Sequence, residues 1–196
     1  MLIRRANWRV ILAVAILGPL FGAFVTAKLF GWDVCPSEQA KESHSASAKD
    51  VPDKDKPLVL PDGDRVALDE LAPGRATAIV VMKAPSCPVC QRQLRALSAR
   101  LDDVQEANGA VFGLTTAAAE RNRKLTGLLG IGFPILGDPS KEVHKSFNMW
   151  MADDCHAMPG VIFLDEDGKV TDVHRGRYPG QPQGGYILER LGEISR

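Results

Sequence analysis

Hydrophobic and polar positions divide this chain into four parts. Residues 1–9 are basic, residues 10–30 are almost wholly apolar, residues 31–56 are polar, and residues 57–196 mix short apolar blocks with amphipathic ones. The polar part is rich in Ser, Ala, Lys, Glu, Asp and Pro, a composition typical of a solvated tether. The last part, about 140 residues long, is large enough for one hydrophobic core. We therefore expect a single globular domain at 57–196.

Within that domain, strand patterns and helix patterns alternate. Strands are predicted at 58–60 and 65–68 around an Asp-Gly turn, and at 76–83, 110–115, 161–164 and 169–175; helices are predicted at 91–104, 117–129, 138–148 and 184–194. Alternating strands and helices, followed by a hairpin and a closing helix, predict an α/β domain. Its central sheet should be mixed, with helices on both faces.

The apolar part at 10–30 has the length of a membrane span. Its uncharged core of eighteen residues at 10–27 reaches about 27 Å as a helix, close to the thickness of a bilayer core. Three arginines precede it, and basic residues before a span stay on the cytoplasmic side. A cleaved signal peptide is the alternative, with a cleavage site at Val25–Ala27. We favour an uncleaved N-terminal transmembrane helix and an extracytoplasmic domain on the periplasmic side.

Cys87 and Cys90 form a CxxC motif between the strand at 76–83 and the helix that follows. A CxxC in that place puts two thiols at a helix N-terminus, where unpaired N–H groups favour a thiolate. The motif therefore indicates dithiol–disulfide exchange. Half of a structural zinc site would need a second matching pair, but Cys35 and Cys155 stand apart. A static disulfide remains possible, although so short a loop constrains the unfolded chain little.

Several segments together resemble the thioredoxin-like superfamily, specifically its AhpC/TSA (redoxin) and membrane-anchored TlpA-type branches. They are Leu60–Gly63 with Leu68, Ala84–Cys90, Ile135–Pro139 and Met158–Gly168. The resemblance implies a thioredoxin-like fold over residues 57–195. It also implies that Pro159 has a cis bond and packs against the CxxC, and that the backbone around Met158 pairs with a bound client. We take Met158 and Pro88 as candidate substrate-binding residues, and Pro88 also suits the first position of a helix.

The two branches assign the two sulfurs different roles. In an exchanger, Cys87 attacks a client disulfide and Cys90 resolves the mixed disulfide. In a peroxiredoxin, Cys90 aligns with the peroxidatic cysteine, but Lys83 and Cys87 then occupy the Pro and Thr/Ser positions of the family pattern. Gly160 also stands where the peroxide-activating arginine is expected. We therefore expect an exchanger acting as a reductant, with a thiol peroxidase as the alternative.

Cys155 and His156 precede Pro159 on a loop that should face the CxxC. Cys155 is a candidate third redox thiol whose pKa His156 would tune, and its alternative is an inert or partner-bound loop residue. His156 or His174 could instead join the two cysteines in a Cu(I) site, since soft thiolates suit that ion. Copper chaperones of this superfamily usually space their cysteines three apart, however. To Cys35 we assign no function.

The apolar cluster Met149–Met151 predicts core or loop packing, with a surface for docking a partner chain as the alternative. The formal charge is zero and the pI is near neutrality, so nothing indicates nucleic-acid binding. No flavin, haem or nucleotide motif is visible, and we expect neither a cofactor nor a metal. The expected partners are a disulfide-bearing client protein, a thiol electron donor, and the membrane through the N-terminal helix.

Overall fold

The computed structural model describes residues 56–176 and 184–196. The predicted membrane helix at 10–30, most of the tether and Cys35 lie outside the described residues. Among the helices of the described ranges, none is both long enough and apolar enough to cross a membrane. The predicted anchor therefore stays a prediction.

The described chain alternates strands and helices as the sequence indicates. The strands are β1 (Leu58–Val59), β2 (Arg65–Val66), β3 (Ala76–Val81), β4 (Gly109–Thr115), β5 (Ile135–Gly137), β6 (Trp150–Met151), β7 (His156–Ala157), β8 (Gly160–Leu164) and β9 (Val170–Arg175). The α-helices are α1 (Pro88–Ser98), α2 (Leu101–Glu106), α3 (Ala119–Leu129), α4 (Glu142–Ser146) and α5 (Gly184–Ile194).

Seven of these strands form one mixed sheet in the order β2-β1-β5-β4-β3-β8-β9. The central strands β3, β4 and β5 are parallel, whereas β8 pairs antiparallel with both β3 and β9. Strands β6 and β7 form a separate two-stranded hairpin. The mixed sheet confirms the fold class predicted from the sequence.

Apolar clusters cover both faces of the sheet. In β3, Ala78 and Val80 belong to one cluster, and Ile79 and Val81 belong to the other. This alternation follows from the two-residue period of a strand, which sends successive side chains to opposite faces. β3 is buried along its whole length, so its C-terminal end holds the start of the next segment in a fixed position. That segment carries the CxxC.

The helix predicted at 91–104 is two helices in the structure, α1 and α2. Ala99 ends the first and Arg100 begins the second. Leu97 and Val104 pack into the same apolar cluster on either side of the break. The apolar spacing therefore continues across the break between α1 and α2, so periodicity alone does not reveal that the helix is interrupted.

The prediction for the helix at 138–148 was wrong in its bounds, because α4 covers only Glu142–Ser146. Lys141, which precedes it, has a left-handed backbone with φ 63°. The carboxylate of Asp138 accepts the N–H groups of Glu142 at 3.1 Å and His144 at 2.9 Å. Asp138 and the proline after it therefore do not form the first turn of the helix. They lie in a turn before it, from which the Asp138 carboxylate caps the helix.

Candidate active site

The CxxC motif lies at the N-terminus of α1, directly after β3. Cys87 is the N-cap residue with an extended backbone, and Pro88 is the first helical residue. A proline is well accommodated there, because its missing N–H would have no partner inside the helix. The Sγ atom of Cys87 accepts the N–H of Cys90 at 3.3 Å. The first sulfur therefore takes the place that a Ser or Asp side chain has at other helix N-termini.

The structure joins Cys87 and Cys90 in a disulfide, with their Cα atoms 5.4 Å apart. The two cysteines differ sharply in exposure. Cys87 is half-buried, whereas Cys90 is 0% exposed and belongs to the apolar cluster beneath α1. The Sγ atom of Cys90 accepts the N–H of Lys83 at 3.4 Å. Solvent and a partner molecule thus have access to the first sulfur and not to the second.

A pocket of about 580 Å³ opens over this disulfide. It is lined by Lys83, Ala84, Ser86, Cys87, Pro88, Val89, Cys90, Met151, Asp154, His156 and Pro159. The pocket brings together two stretches that are more than sixty residues apart in the chain, 83–90 and 151–159. A molecule bound there would meet the sulfur of Cys87, with the buried Cys90 directly behind it.

Pro159 is buried and lies on the wall of this pocket, and its cis bond stays a prediction. Met158 is arranged differently from the expectation that its backbone pairs with a client. Its N–H donates to the carbonyl oxygen of Met149 at 2.7 Å, so an internal segment already occupies that donor. The side chain of Met158 packs on the apolar cluster of the opposite face and is not among the pocket residues. Its role in substrate binding stays a prediction.

The β6–β7 hairpin supplies the far wall of the pocket. Asp154 in its turn and His156 in β7 line the cavity, while Cys155 between them is not among the lining residues. Cys155 is half-buried in a left-handed conformation, φ 49°. That conformation reverses the chain between the two short strands. The redox role of Cys155 stays a prediction.

The ring of His156 is held by two neighbours. Its Nδ1 lies 3.0 Å from the carbonyl oxygen of Ala157, and its Nε2 lies 3.6 Å from Oδ2 of Asp154. The side chain is 21% exposed, against 52% for Asp154. The imidazole is thus oriented at the edge of the pocket, with Nε2 beside a carboxylate.

His174, the other histidine of the predicted copper site, is not among the residues that line the pocket. It lies in β9, with its ring 5.3 Å from that of Tyr186. Over the described ranges no three or more His, Cys, Asp and Glu side chains are grouped closely enough to hold a metal ion. The structure therefore does not assemble the ligand set on which the copper hypothesis depends.

Of the Met149–Met151 cluster, Met149 is fully buried in the core, whereas Trp150 and Met151 are half-buried. The ammonium of Lys141 lies 4.7 Å from the centroid of the Trp150 ring. Met151 lines the pocket. Core packing thus explains the first of the three residues, and the third belongs to the candidate site.

A buried hydrogen-bonded pair that sequence reasoning missed lies next to the hairpin. Nδ1 of His144 is 2.7 Å from Oδ2 of Asp138, and both side chains have no exposed surface. Burial would raise the pKa of Asp138, but hydrogen bonds from the His144 ring, the His144 N–H and Ser140 together hold it below its usual value. His144 also accepts the N–H of Met149 through its carbonyl oxygen at 2.7 Å. The Asp138–His144 pair therefore helps to hold Met149 in the position where its carbonyl oxygen accepts the N–H of Met158.

Sequence reasoning also gave no role to Asp154 and Lys83, both of which line the pocket. Asp154 lies in the turn before β7, so no strand or helix period marked it in the sequence. For the buried pair, the usable signal was the spacing of its two residues: His144 follows the helix-capping Asp138 by six positions.

Comparison with known proteins bears directly on this site. The family model for the AhpC/TSA family matches residues 47–173. The chain belongs to the AhpC/TSA family. The match confirms the resemblance drawn from the sequence to that branch, whereas the membrane-anchored TlpA type stays a prediction.

Curated relatives of this AhpC/TSA-family chain carry peroxiredoxin names. A Mycobacterium tuberculosis protein named "Putative peroxiredoxin Rv2521" is 29% identical over 127 residues, which cover 61% of this chain and 80% of the relative. The spinach protein 2-Cys peroxiredoxin BAS1, chloroplastic, is 27% identical over 89 residues, 42% of this chain. That alignment spans only 34% of the spinach protein.

Solved structures share the fold of this AhpC/TSA-family domain. The bacterioferritin comigratory protein of Xanthomonas campestris superposes with a TM-score of 0.66 at 18% identity, covering 77% of this chain and 100% of its own. AhpC of Enterococcus faecalis superposes with a TM-score of 0.61 at 15% identity, covering 70% of this chain and 84% of its own. These likenesses establish the thioredoxin-like fold and carry no further functional weight.

Proposed function

We propose that this AhpC/TSA-family domain is an extracytoplasmic thiol–disulfide oxidoreductase that reduces disulfides in partner proteins through Cys87 and Cys90. The observation that carries the proposal is the difference in exposure between the two sulfurs. Cys87 is half-buried at the N-terminus of α1, and Cys90 is fully buried behind it. An attacking sulfur must meet a large partner, whereas a resolving sulfur needs to reach only its neighbour.

The exchange proceeds in two displacements. The thiolate of Cys87 attacks one sulfur of the client disulfide, forming a mixed disulfide and releasing the other client sulfur as a thiolate. Cys90 then attacks Cys87, which forms the Cys87–Cys90 disulfide and releases the second client thiolate. Two electrons pass to the client in this sequence. A thiol electron donor must return them before the next turnover.

Several local features support Cys87 as the nucleophile. The N-terminus of α1 presents the N–H of Cys90 to its sulfur at 3.3 Å. The positive end of the helix dipole and that N–H stabilise a thiolate at this position. Lys83, whose side chain is exposed, adds a positive charge to the wall of the same pocket. These interactions favour the charged form of the attacking sulfur over the thiol.

A thiol peroxidase is the second candidate, favoured by the peroxiredoxin names of the relatives. In that reaction Cys90 would attack a peroxide, which must then reach a sulfur that is 0% exposed in the disulfide form. Among the described residues that line the pocket, none is an arginine that could polarise the O–O bond. Cys87, in place of a Ser or Thr hydroxyl, is also a poor hydrogen-bond donor. We therefore place the peroxidase second.

The proposal includes an N-terminal membrane anchor, with the domain facing the periplasmic side. Its support is the sequence pattern of arginines, apolar run and polar tether. Fusion of a reporter active only outside the cytoplasm to the C-terminus tests this topology. A reporter active only in the cytoplasm would overturn it.

Stopped-flow mixing separates the two reactions. The reduced full-length chain in detergent is mixed with a peptide disulfide or with hydrogen peroxide, and thiol oxidation is followed. We expect fast exchange that is lost in Cys87→Ser, together with slow reaction with peroxide. Fast reaction with peroxide that is lost in Cys90→Ser but kept in Cys87→Ser would instead establish the peroxidase and reverse the roles of the two sulfurs.

A further inference from the structure

Resolution of the mixed disulfide requires a proton acceptor near Cys90. We infer that His156 accepts the proton of the Cys90 thiol in this second step. The inference rests on the proposed function, because it assigns a residue to the resolving half of the exchange.

The need for a base follows from the burial of Cys90. Its side chain is 0% exposed and packed in an apolar cluster, and such surroundings disfavour a thiolate. The N–H of Lys83, 3.4 Å from the sulfur, is a polar contact that the thiolate can use once it has formed. A hydrogen-bond donor cannot remove the proton, however. Another group must accept it.

The charged and titratable side chains lining the pocket with the two cysteines are Lys83, Asp154 and His156. The ammonium of Lys83 has no lone pair with which to accept a proton. Asp154 is 52% exposed, and a carboxylate in water is a much weaker base than imidazole. Imidazole is the side chain that most often serves as a general base. His156 is therefore the suitable acceptor among these groups.

The hydrogen bonds of His156 select the tautomer that a base requires. Nδ1 lies 3.0 Å from the carbonyl oxygen of Ala157, which can only accept, and so Nδ1 carries the hydrogen. In the neutral ring Nε2 then bears a lone pair. Oδ2 of Asp154 lies 3.6 Å from Nε2 and stabilises the positive ring once the proton has arrived.

The step balances without a further reagent. The proton of the Cys90 thiol moves to Nε2 of His156, and the new thiolate attacks the Sγ atom of Cys87. The Cys87–Cys90 disulfide forms, and the bond between Cys87 and the client sulfur breaks. The departing client thiolate takes a proton from the imidazolium or from water. His156 returns to its neutral form.

A two-phase reaction with a chromogenic aromatic disulfide tests the inference. The reduced full-length chain in detergent should release one coloured thiolate as Cys87 attacks and a second as Cys90 resolves. The trace of a Cys87→Ser/Cys90→Ser double variant is subtracted to remove any other thiol. We expect His156→Gln to leave the first phase unchanged and to slow the second about tenfold or more at pH 7. The difference should shrink as the pH rises, because a growing fraction of Cys90 then ionises without a base.

His174→Gln is the matched control, since His174 lies in β9 against Tyr186 and outside the pocket. It should leave both phases unchanged. A second phase in His156→Gln equal to that of the parent chain would overturn the inference, as would equal slowing of both phases at every pH. The proposed function fails separately, if Cys87→Ser retains the first phase.

Discussion

The backbone N–H of Met158 donates to the carbonyl oxygen of Met149 at 2.7 Å. Met158 directly precedes Pro159, the position whose backbone the family resemblance assigns to client binding. The structure instead uses its donor within the chain, where the segment before the β6–β7 hairpin passes. A client strand therefore cannot add to this edge through the Met158 N–H unless that segment moves.

We predict that the Met158 amide stays protected when a client is bound. A Cys90→Ser variant cannot resolve a mixed disulfide, so it traps the client on Cys87. Hydrogen exchange should then show equal protection of the Met158 amide in the free and the trapped protein. Faster exchange in the trapped protein would mean that the client displaces the Met149 segment.

Introducing the arginine of the peroxiredoxin pattern at Gly160 should not create a peroxidase. A Cβ atom there would overlap the carbonyl oxygen of His174 in the neighbouring strand and would lie 2.6 Å from Cε of Met149. Even Gly160→Ala should therefore separate β8 from β9 and lower the free energy of unfolding by about 2 kcal/mol or more. Urea unfolding measures the loss. Gly185→Ala, with no neighbour within 4 Å of the added atom, is the control and should change stability far less.

Long periodic segments of this fold could be predicted from the sequence. The β-branched run predicts β3, and α3 ends at Gly130, whose φ of 63° suits a glycine. The β6–β7 hairpin was not predicted, because two strands of two residues carry no measurable period. Short elements of this kind depend on tertiary contacts more than on local preference.

The candidate site shows the same limit. Cys87 and Cys90 could be predicted because their chemistry depends on local context, a strand followed by a helix. Asp154 acquires its place only when the sheet order brings the hairpin against the start of α1. The hydrogen bond from the Met158 N–H to Met149 depends on where the segment before the hairpin runs, and no sequence pattern predicts that path. Local patterns thus predict the reactive groups, and topology decides their neighbours.

The difference in exposure between the two cysteines predicts a difference in alkylation. In the reduced chain at neutral pH, iodoacetamide should modify Cys87 at least about tenfold faster than Cys90, since alkylation requires an accessible thiolate. Peptide mass spectrometry of samples quenched over time measures both rates. In urea the two rates should converge, which serves as the control. Preferential labelling of Cys90 in the folded chain would contradict the assignment of Cys87 as nucleophile.

The buried pair of Asp138 and His144 predicts loss of stability in acid. Because hydrogen bonds lower the pKa of Asp138 in the folded state, its contribution is fully present above the unfolded pKa of about 3.9. The contribution is lost as the pH falls through the lower folded value. Asp138→Asn should remove about 3 kcal/mol at pH 7, because His144 then loses its buried partner. Urea unfolding at a series of pH values checks both statements.

In that series the parent chain should lose more stability between pH 5 and pH 2 than Asp138→Asn does, since the variant lacks the titrating group. Ser140→Ala is the milder control: it removes one hydrogen bond to Asp138 at 3.0 Å and leaves the bonds from His144. We expect it to cost about 1 kcal/mol and to keep most of the acid dependence. Equal acid sensitivity in the parent chain and Asp138→Asn would show that other carboxylates dominate. The pair would then hold the Met149 segment in place without making the domain sensitive to pH.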